Sequence, residues 1–148
     1  MSQDSPEVIV RESGSGAFQQ EVLIGRHRLV ADEPVTIGGD DAGPAPYDFL
    51  MAGLGACTSM TLRMYAERRS LSLTRVAVGV SHEKVDIPGQ PGKADRFLRT
   101  ITVDGDLDDE QRAKLLEIAN KCPVHRTLSG QIIIDTELSE SGRALAVD

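Results

Sequence analysis

The stretch Gly38-Gly39-Asp40-Asp41-Ala42-Gly43-Pro44-Ala45-Pro46 carries three glycines and two prolines in nine residues, so neither an α-helix nor a central strand can pass through it. It divides the chain. Before it, residues 7–11, 18–24 and 27–32 have extended character, with Ser13-Gly14-Ser15-Gly16 and Gly25-Arg26 between them as turns. This predicts three strands in an antiparallel meander. After it, residues 47–69 place Leu50, Leu54, Cys57, Thr61 and Met64 in steps of three or four, which predicts a long helix with Cys57 in the middle of its apolar stripe. Gly53, Gly55 and Ala56 are small, and each glycine costs a helix roughly 1 kcal/mol relative to alanine. Close backbone approach at that helix is the expected return.

Further on, residues 74–80 continue to 85 as a β-branched run, Pro88-Gly89-Gln90-Pro91-Gly92 is a loop, and residues 96–103 pair back as a second hairpin. Residues 108–121 resume a helical period through Leu115, Ile118, Ala119 and Cys122, with acids in the first turn and Lys121 in the last, as the helix dipole favours. Pro123 stops that helix, because the residue before a proline is biased out of the α region. Residues 131–138 read as a last strand, and the tail after Ser139 as frayed. The order βββ-α-ββ-α-β, with strands in runs, predicts an α+β fold with a mostly antiparallel sheet and a single domain over residues 1–148.

The net charge of −7 gives no general attraction to polyanions, which argues against nucleic acid or anionic lipid as partners. No apolar run approaches the ~20 residues needed to span a bilayer. The opening Met1-Ser2-Gln3-Asp4-Ser5 has no hydrophobic signal core, so a cytoplasmic protein without membrane partners is expected. Two cysteines are too few for a disulfide framework in a reducing compartment. Cys57 and Cys122 lie 65 residues apart and form no Cys-x-x-Cys motif, so any partnership between them is tertiary. Free cysteine is often a small buried hydrophobe. If Pro123 begins a short helix, however, Cys122 takes its cap position, where unpaired N–H groups favour a thiolate and His125 or Arg126 could add positive charge. Local sequence does not decide which thiol attacks.

Cys-Pro-Val-His at 122–125 offers two metal ligands without the usual second pair, and neither a metal nor a cofactor is expected. The acidic run at 104–109 lacks the glycine and the glutamate of a calcium loop and reads as a turn and helix start. The Gly38-Gly39 loop carries Asp40 and Asp41, which would repel phosphate, and Ser129-Gly130 lacks the flanks of a nucleophile elbow.

Residues 38–62, Gly-Gly-Asp-Asp-Ala-Gly-Pro-Ala-Pro-Tyr-Asp-Phe-Leu-Met-Ala-Gly-Leu-Gly-Ala-Cys-Thr-Ser-Met-Thr-Leu, together with Lys-Cys-Pro-Val-His-Arg-Thr-Leu at 121–128, resemble the OsmC/Ohr family. The likeness covers nearly the whole chain, and the closer match is to its OsmC-like branch. It implies an OsmC-like fold in an intertwined, domain-swapped homodimer, with two long helices packed centrally and active sites at the interface. It also implies a thiol peroxidase that reduces organic hydroperoxides, with Cys57 peroxidatic, Cys122 resolving through an intramolecular disulfide, and an external thiol as reductant. The family assists its thiolate with an arginine from the amino-terminal strands, for which Arg26 and Arg28 are candidates, and with a glutamate ten residues before the cysteine. Tyr47 occupies that glutamate position; Asp48 stands one residue on, its side chain turned by about 100°. Asp48, Arg26 and His125 are therefore the supporting candidates. Leu50, Leu54, Met60 and Met64 could line an apolar approach that prefers organic peroxides. The competing expectation is a non-catalytic dimeric domain that binds a small apolar ligand, its cysteines inert.

Overall fold

Glycines supply the reversals that turn the amino-terminal β-branched segments into a meander: Gly14, Gly16 and Gly25 all have positive φ, where a β-carbon would be strained. Strands β1 (Val8–Glu12), β2 (Gln20–Ile24) and β3 (His27–Ala31) form an antiparallel sheet in the order β1-β2-β3. The computed structural model describes residues 7–139. Arg11 lies opposite Glu21 in the register, and their side chains form an ion pair at 2.7 Å. Val22, Leu23 and Ala31 are buried.

After β3 the chain is fastened by one carboxylate. Asp32 is buried and accepts the N–H groups of Glu33, Asp40 and Ala42 at 2.8, 3.2 and 3.1 Å. It thereby ties the glycine-rich loop, which includes one 3-10 turn at Val35–Ile37, back onto the end of the sheet. A β-carbon at Gly43 would collide with the Val30 carbonyl, so only glycine lets the loop come this close. These elements belong to a compact unit that holds residues 7–48 and 133–139.

The second unit is Phe49–Ile132. It holds most of α1 (Pro46–Arg68), which opens on proline, the residue whose missing N–H costs least at a helix start. Its buried positions are Leu54, Thr58, Leu62 and Ala66, a strict step of four. This corrects the expected stripe: Leu54 belongs to it, but Leu50 and Met64 are exposed and Cys57 is half-buried. Apolar and small residues lie on several sides of α1, so its sequence period does not single out one face. Gly55 approaches Val80, whereas the space beside Gly53 is open, so the close approach is confined to Gly55.

The long hairpin of β4 (Ser72–Asp86) and β5 (Lys93–Asp106) follows, with a bulge between Leu73 and Arg75. Then comes α2 (Asp109–Ala119), capped by Asp108, which exchanges bonds with Gln111 in a capping box. The acidic run is thus a helix start. No base stands in the last turn of α2, because the helix ends at Ala119 and leaves Lys121 beyond it. A third helix, α3 (Pro123–Ser129), completes the unit. Leu62 and Ala66 of α1, Leu73 of β4 and Leu115 and Ala119 of α2 form its core, against which Val76, Ile101 and Val103 of the hairpin pack.

The strand expected at 131–138 is not formed. Residues 131–139 carry no regular structure, and Ile133 and Ile134 are 81% and 83% exposed. β-Branched residues suit a pleated, half-buried surface, but a strand also needs a neighbouring edge for its backbone groups, and among the described residues none pairs here. The observed order is βββ-α-ββ-α-α. The class remains α+β with antiparallel sheets; the tail from 140 onward lies outside the described residues.

Candidate thiol site

Proline places the first sulfur. Pro123 opens α3, so Cys122 is extended (φ −65°, ψ 143°) at its cap, and Cys122 Sγ accepts the His125 N–H at 3.3 Å. The condition set on this cysteine by its sequence is met. Cys122 is completely buried. The four-residue step of α1 places the second group: Thr58 faces the core, its Oγ1 3.7 Å from Cys122 Sγ, and donates to the Leu54 carbonyl at 2.7 Å. Cys57, one residue earlier, is half-buried with its side chain within hydrogen-bonding reach of Cys122. The fold thus joins two cysteines that lie 65 residues apart.

The cation of the site is Arg99, which no local motif marks. From β5 its Nη1 donates to Thr58 Oγ1 at 3.0 Å and to the Ala119 carbonyl at 3.3 Å. Its Nη2 donates to Asn120 Oδ1 at 2.8 Å and to His125 Nδ1 at 3.0 Å. All four acceptors are neutral, and no carboxylate pairs with Arg99 among the described residues. Two consequences follow. An arginine only donates, so His125 accepts through Nδ1 and carries its proton on Nε2. Burial, and then the Arg99 charge, keep His125 below the ordinary histidine value, so this imidazole is neutral at pH 7. Burial pushes the Cys122 thiol up, but the His125 N–H, the Thr58 hydroxyl, the Cys57 side chain and the Arg99 charge outweigh it and bring Cys122 below the ordinary cysteine value.

Cys57, Cys122 and His125 are therefore together, while Arg99, Thr58 and Asn120 were not foreseen. A signal for Arg99 did exist: along β5, Phe97, Arg99, Ile101 and Val103 share one face and are all half-buried, so an arginine stands in an apolar row. Arg26 is exposed in the turn between β2 and β3, and Arg28 is exposed on β3, both in the amino-terminal unit. Asp48 accepts the Ala45 N–H at 2.9 Å and acts at the start of α1; Tyr47 beside it is exposed. Of the expected apolar approach, Leu54 lines a cavity of about 430 Å³ with Phe97, Leu116 and Leu128, which Arg99 and His125 also border. Leu50, Met60 and Met64 are exposed elsewhere on α1. Among the described residues no cluster of three metal-ligating side chains occurs, and no helix is long and apolar enough to cross a membrane.

A family profile described as OsmC-like protein matches residues 38–137. The chain is similar in structure to a Psychrobacter arcticus protein described as an osmotic stress induced and detoxification response protein, at 19% identity and a TM-score of 0.70 over 85% of this chain and 90% of that one. It is similar to an OsmC like protein of Mycoplasma pneumoniae, at 16% identity and a TM-score of 0.70, over 88% and 90%. An organic hydroperoxide resistance protein of Legionella pneumophila aligns at 21% identity and a TM-score of 0.63, over 88% and 93%. No curated protein matches the sequence.

Proposed function

The chain belongs to the OsmC-like family, and from that premise we propose that it has a redox, peroxide-related role as a thiol peroxidase for organic hydroperoxides. The observation that carries this reading is the meeting of one half-buried and one fully buried cysteine beside an arginine. Exposure divides the labour. Cys57 is the sulfur a peroxide can reach, and Cys122, shut away behind it, is the one that can only react with Cys57. The Cys57 thiolate attacks the distal peroxide oxygen, the O–O bond breaks, and the alcohol leaves a sulfenic acid on Cys57. Cys122 then attacks the Cys57 sulfur, hydroxide departs, and an intramolecular disulfide forms that an external thiol reduces. His125, with its proton fixed on Nε2, offers a neutral donor at the border of the cavity beside Leu54. On this reading residues 1–148 form one OsmC-like domain, acting in the cytoplasm as a homodimer.

Stopped-flow mixing of reduced protein with cumene hydroperoxide, scored by thiol loss, tests it. Cys57→Ser should abolish peroxide consumption, Cys122→Ser should leave one turnover and a trappable sulfenic acid, and mass mapping of the wild type should find the Cys57–Cys122 bridge. The roles are exchanged if Cys57→Ser keeps the burst and Cys122→Ser loses it. If both variants consume peroxide as the wild type does, the cysteines are bystanders and the cavity reads as the site of a ligand-binding domain.

A further inference from the structure

We propose that Cys122 is the general base for Cys57 as well as its resolving partner: as a thiolate it takes the Cys57 proton while Cys57 attacks, and it gives that proton to the hydroxyl that departs when the two sulfurs condense. The inference deepens the peroxidase reading and rests on it. Its starting point is that the polar donors of the site converge on the wrong sulfur for a simple nucleophile. The His125 N–H and the Thr58 hydroxyl address Cys122, which is completely buried and cannot meet a peroxide. A charge placed there can act on substrate only through a neighbour, and the neighbour within hydrogen-bonding reach is Cys57.

Arg99 supplies the second observation. Its guanidinium has four acceptors, all of them neutral, and among the described residues no carboxylate pairs with this cation. A half-buried cation without an anion is costly, and a thiolate at Cys122 is the anion the site can make. Thr58 connects the two. Its single hydrogen points to the Leu54 carbonyl while Cys122 is a thiol and swings to Sγ when Cys122 ionises; donation from Arg99 to the same oxygen polarises the hydroxyl and favours that swing. The ionisable groups facing Cys122 are Arg99 from β5, Cys57 from α1 and neutral His125 from α3, while α2 and the turn after it contribute the Ala119 carbonyl and the Asn120 amide. None of them competes with Cys122 for the Cys57 proton.

The cycle balances. The Cys57 S–H bond breaks and its proton goes to the Cys122 thiolate; a Cys57 S–O bond forms as the peroxide O–O bond breaks. The alkoxide takes a proton from water and leaves as alcohol. Cys122 forms the S–S bond as the Cys57 S–O bond breaks, and its proton leaves with the hydroxyl as water. The peroxide gains two electrons, one from each sulfur. Arg99 and Thr58 touch neither peroxide nor Cys57 in this scheme and are positioning residues for the base.

The test follows two reactions of Cys57 from pH 5 to 10 in reduced wild type and Cys122→Ser: the first oxidation by cumene hydroperoxide and alkylation by iodoacetamide, with Cys57 mapped by mass. Loss of a positioned base should slow both at pH 7 by about 10²-fold, with the deficit closing at alkaline pH where hydroxide removes the proton. Arg99→Met, or Thr58→Val should the former not fold, should move the ionisation of Cys122, read by thiolate absorbance in a Cys57→Ser background, to higher pH. Equal rates for wild type and Cys122→Ser at every pH, or an unmoved ionisation, would overturn the proposal. The two electrophiles separate the failures: an alkylation deficit in a protein whose thiols ignore peroxide would sink the peroxidase reading and leave the base intact.

Discussion

Replacing Thr58 by valine removes one oxygen from a completely buried position while keeping the shape of the side chain, so no cavity opens. What changes is the bonding. The Leu54 carbonyl gives up an extra donor in addition to its helix bond, and Arg99 Nη1 keeps the Ala119 carbonyl at 3.3 Å in place of the lost 3.0 Å acceptor. An orphaned buried polar group costs about 1–3 kcal/mol, and with this partial replacement the lower half, about 1–2 kcal/mol, is expected at neutral pH. For a chain of 148 residues that corresponds to a fall of roughly 2–8 °C in melting temperature. The sign of its pH dependence is the sharper expectation. Cys122 has a depressed folded value, so its ionisation stabilises the fold in full above the unfolded cysteine value of about 8.5, and that stabilisation is lost as pH falls through the folded value. Thr58→Val raises the folded value and should therefore destabilise more at pH 9 than at pH 5.5. Urea titrations of reduced protein at the two pH values measure this, with Thr58→Ser as the variant that keeps the hydroxyl. Equal losses at both pH values would refute the claim that this oxygen serves the thiolate.

Leu62 is fully buried at the meeting of α1, β4 and α2, so Leu62→Ala should cost about 3–5 kcal/mol in the same titration; a loss below 1 kcal/mol would return the buried face of α1 to question. The Ala42 N–H foremost, against the upward push of burial and with help from Glu33 and Asp40, holds the Asp32 carboxyl below the usual carboxylate range. The grip on the 32–44 loop should therefore be complete above the unfolded value of about 3.9 and fade as pH falls through the folded one, with the Asp40 and Ala42 amide resonances moving only in that acid window. Sedimentation at micromolar concentration should report twice the monomer mass; the monomer mass throughout would remove the homodimer and any site shared across it.

Local chemistry carried much of the fold into the sequence. Glycine turns, the prolines that open α1 and α3, and Asp108 with Gln111 at α2 are readable because each acts within a few residues. The buried face of α1 was less legible, since Leu50, Met60 and Met64 are as apolar as Leu54 and Leu62, and only packing tells them apart. Residues 131–138 failed for a related reason: β-branching describes a segment, whereas a strand is a pairing. At the site, Cys122 could be read from Pro123 beside it. Arg99 lies 41 residues from Thr58 and 26 from His125, and its role exists only once β5 has been laid beside both helices.

The cap of α3 makes one atom answer to two demands. Cys122 Sγ closes the first turn of a seven-residue helix by accepting the His125 N–H, and a sulfur drawn into a bond with Cys57 loses the negative charge that makes it a strong acceptor. If the proposed disulfide forms, oxidation should loosen α3 at its origin, and the helix, in holding the sulfur reduced, should oppose the oxidation in equal measure. On the proposed reading the redox potential of the cysteine pair and the fraying of α3 are a single equilibrium: a substitution that stiffens this short helix against a capping thiolate should make the disulfide easier to reduce, and amide exchange in its first turn should read out the oxidation state of the pair.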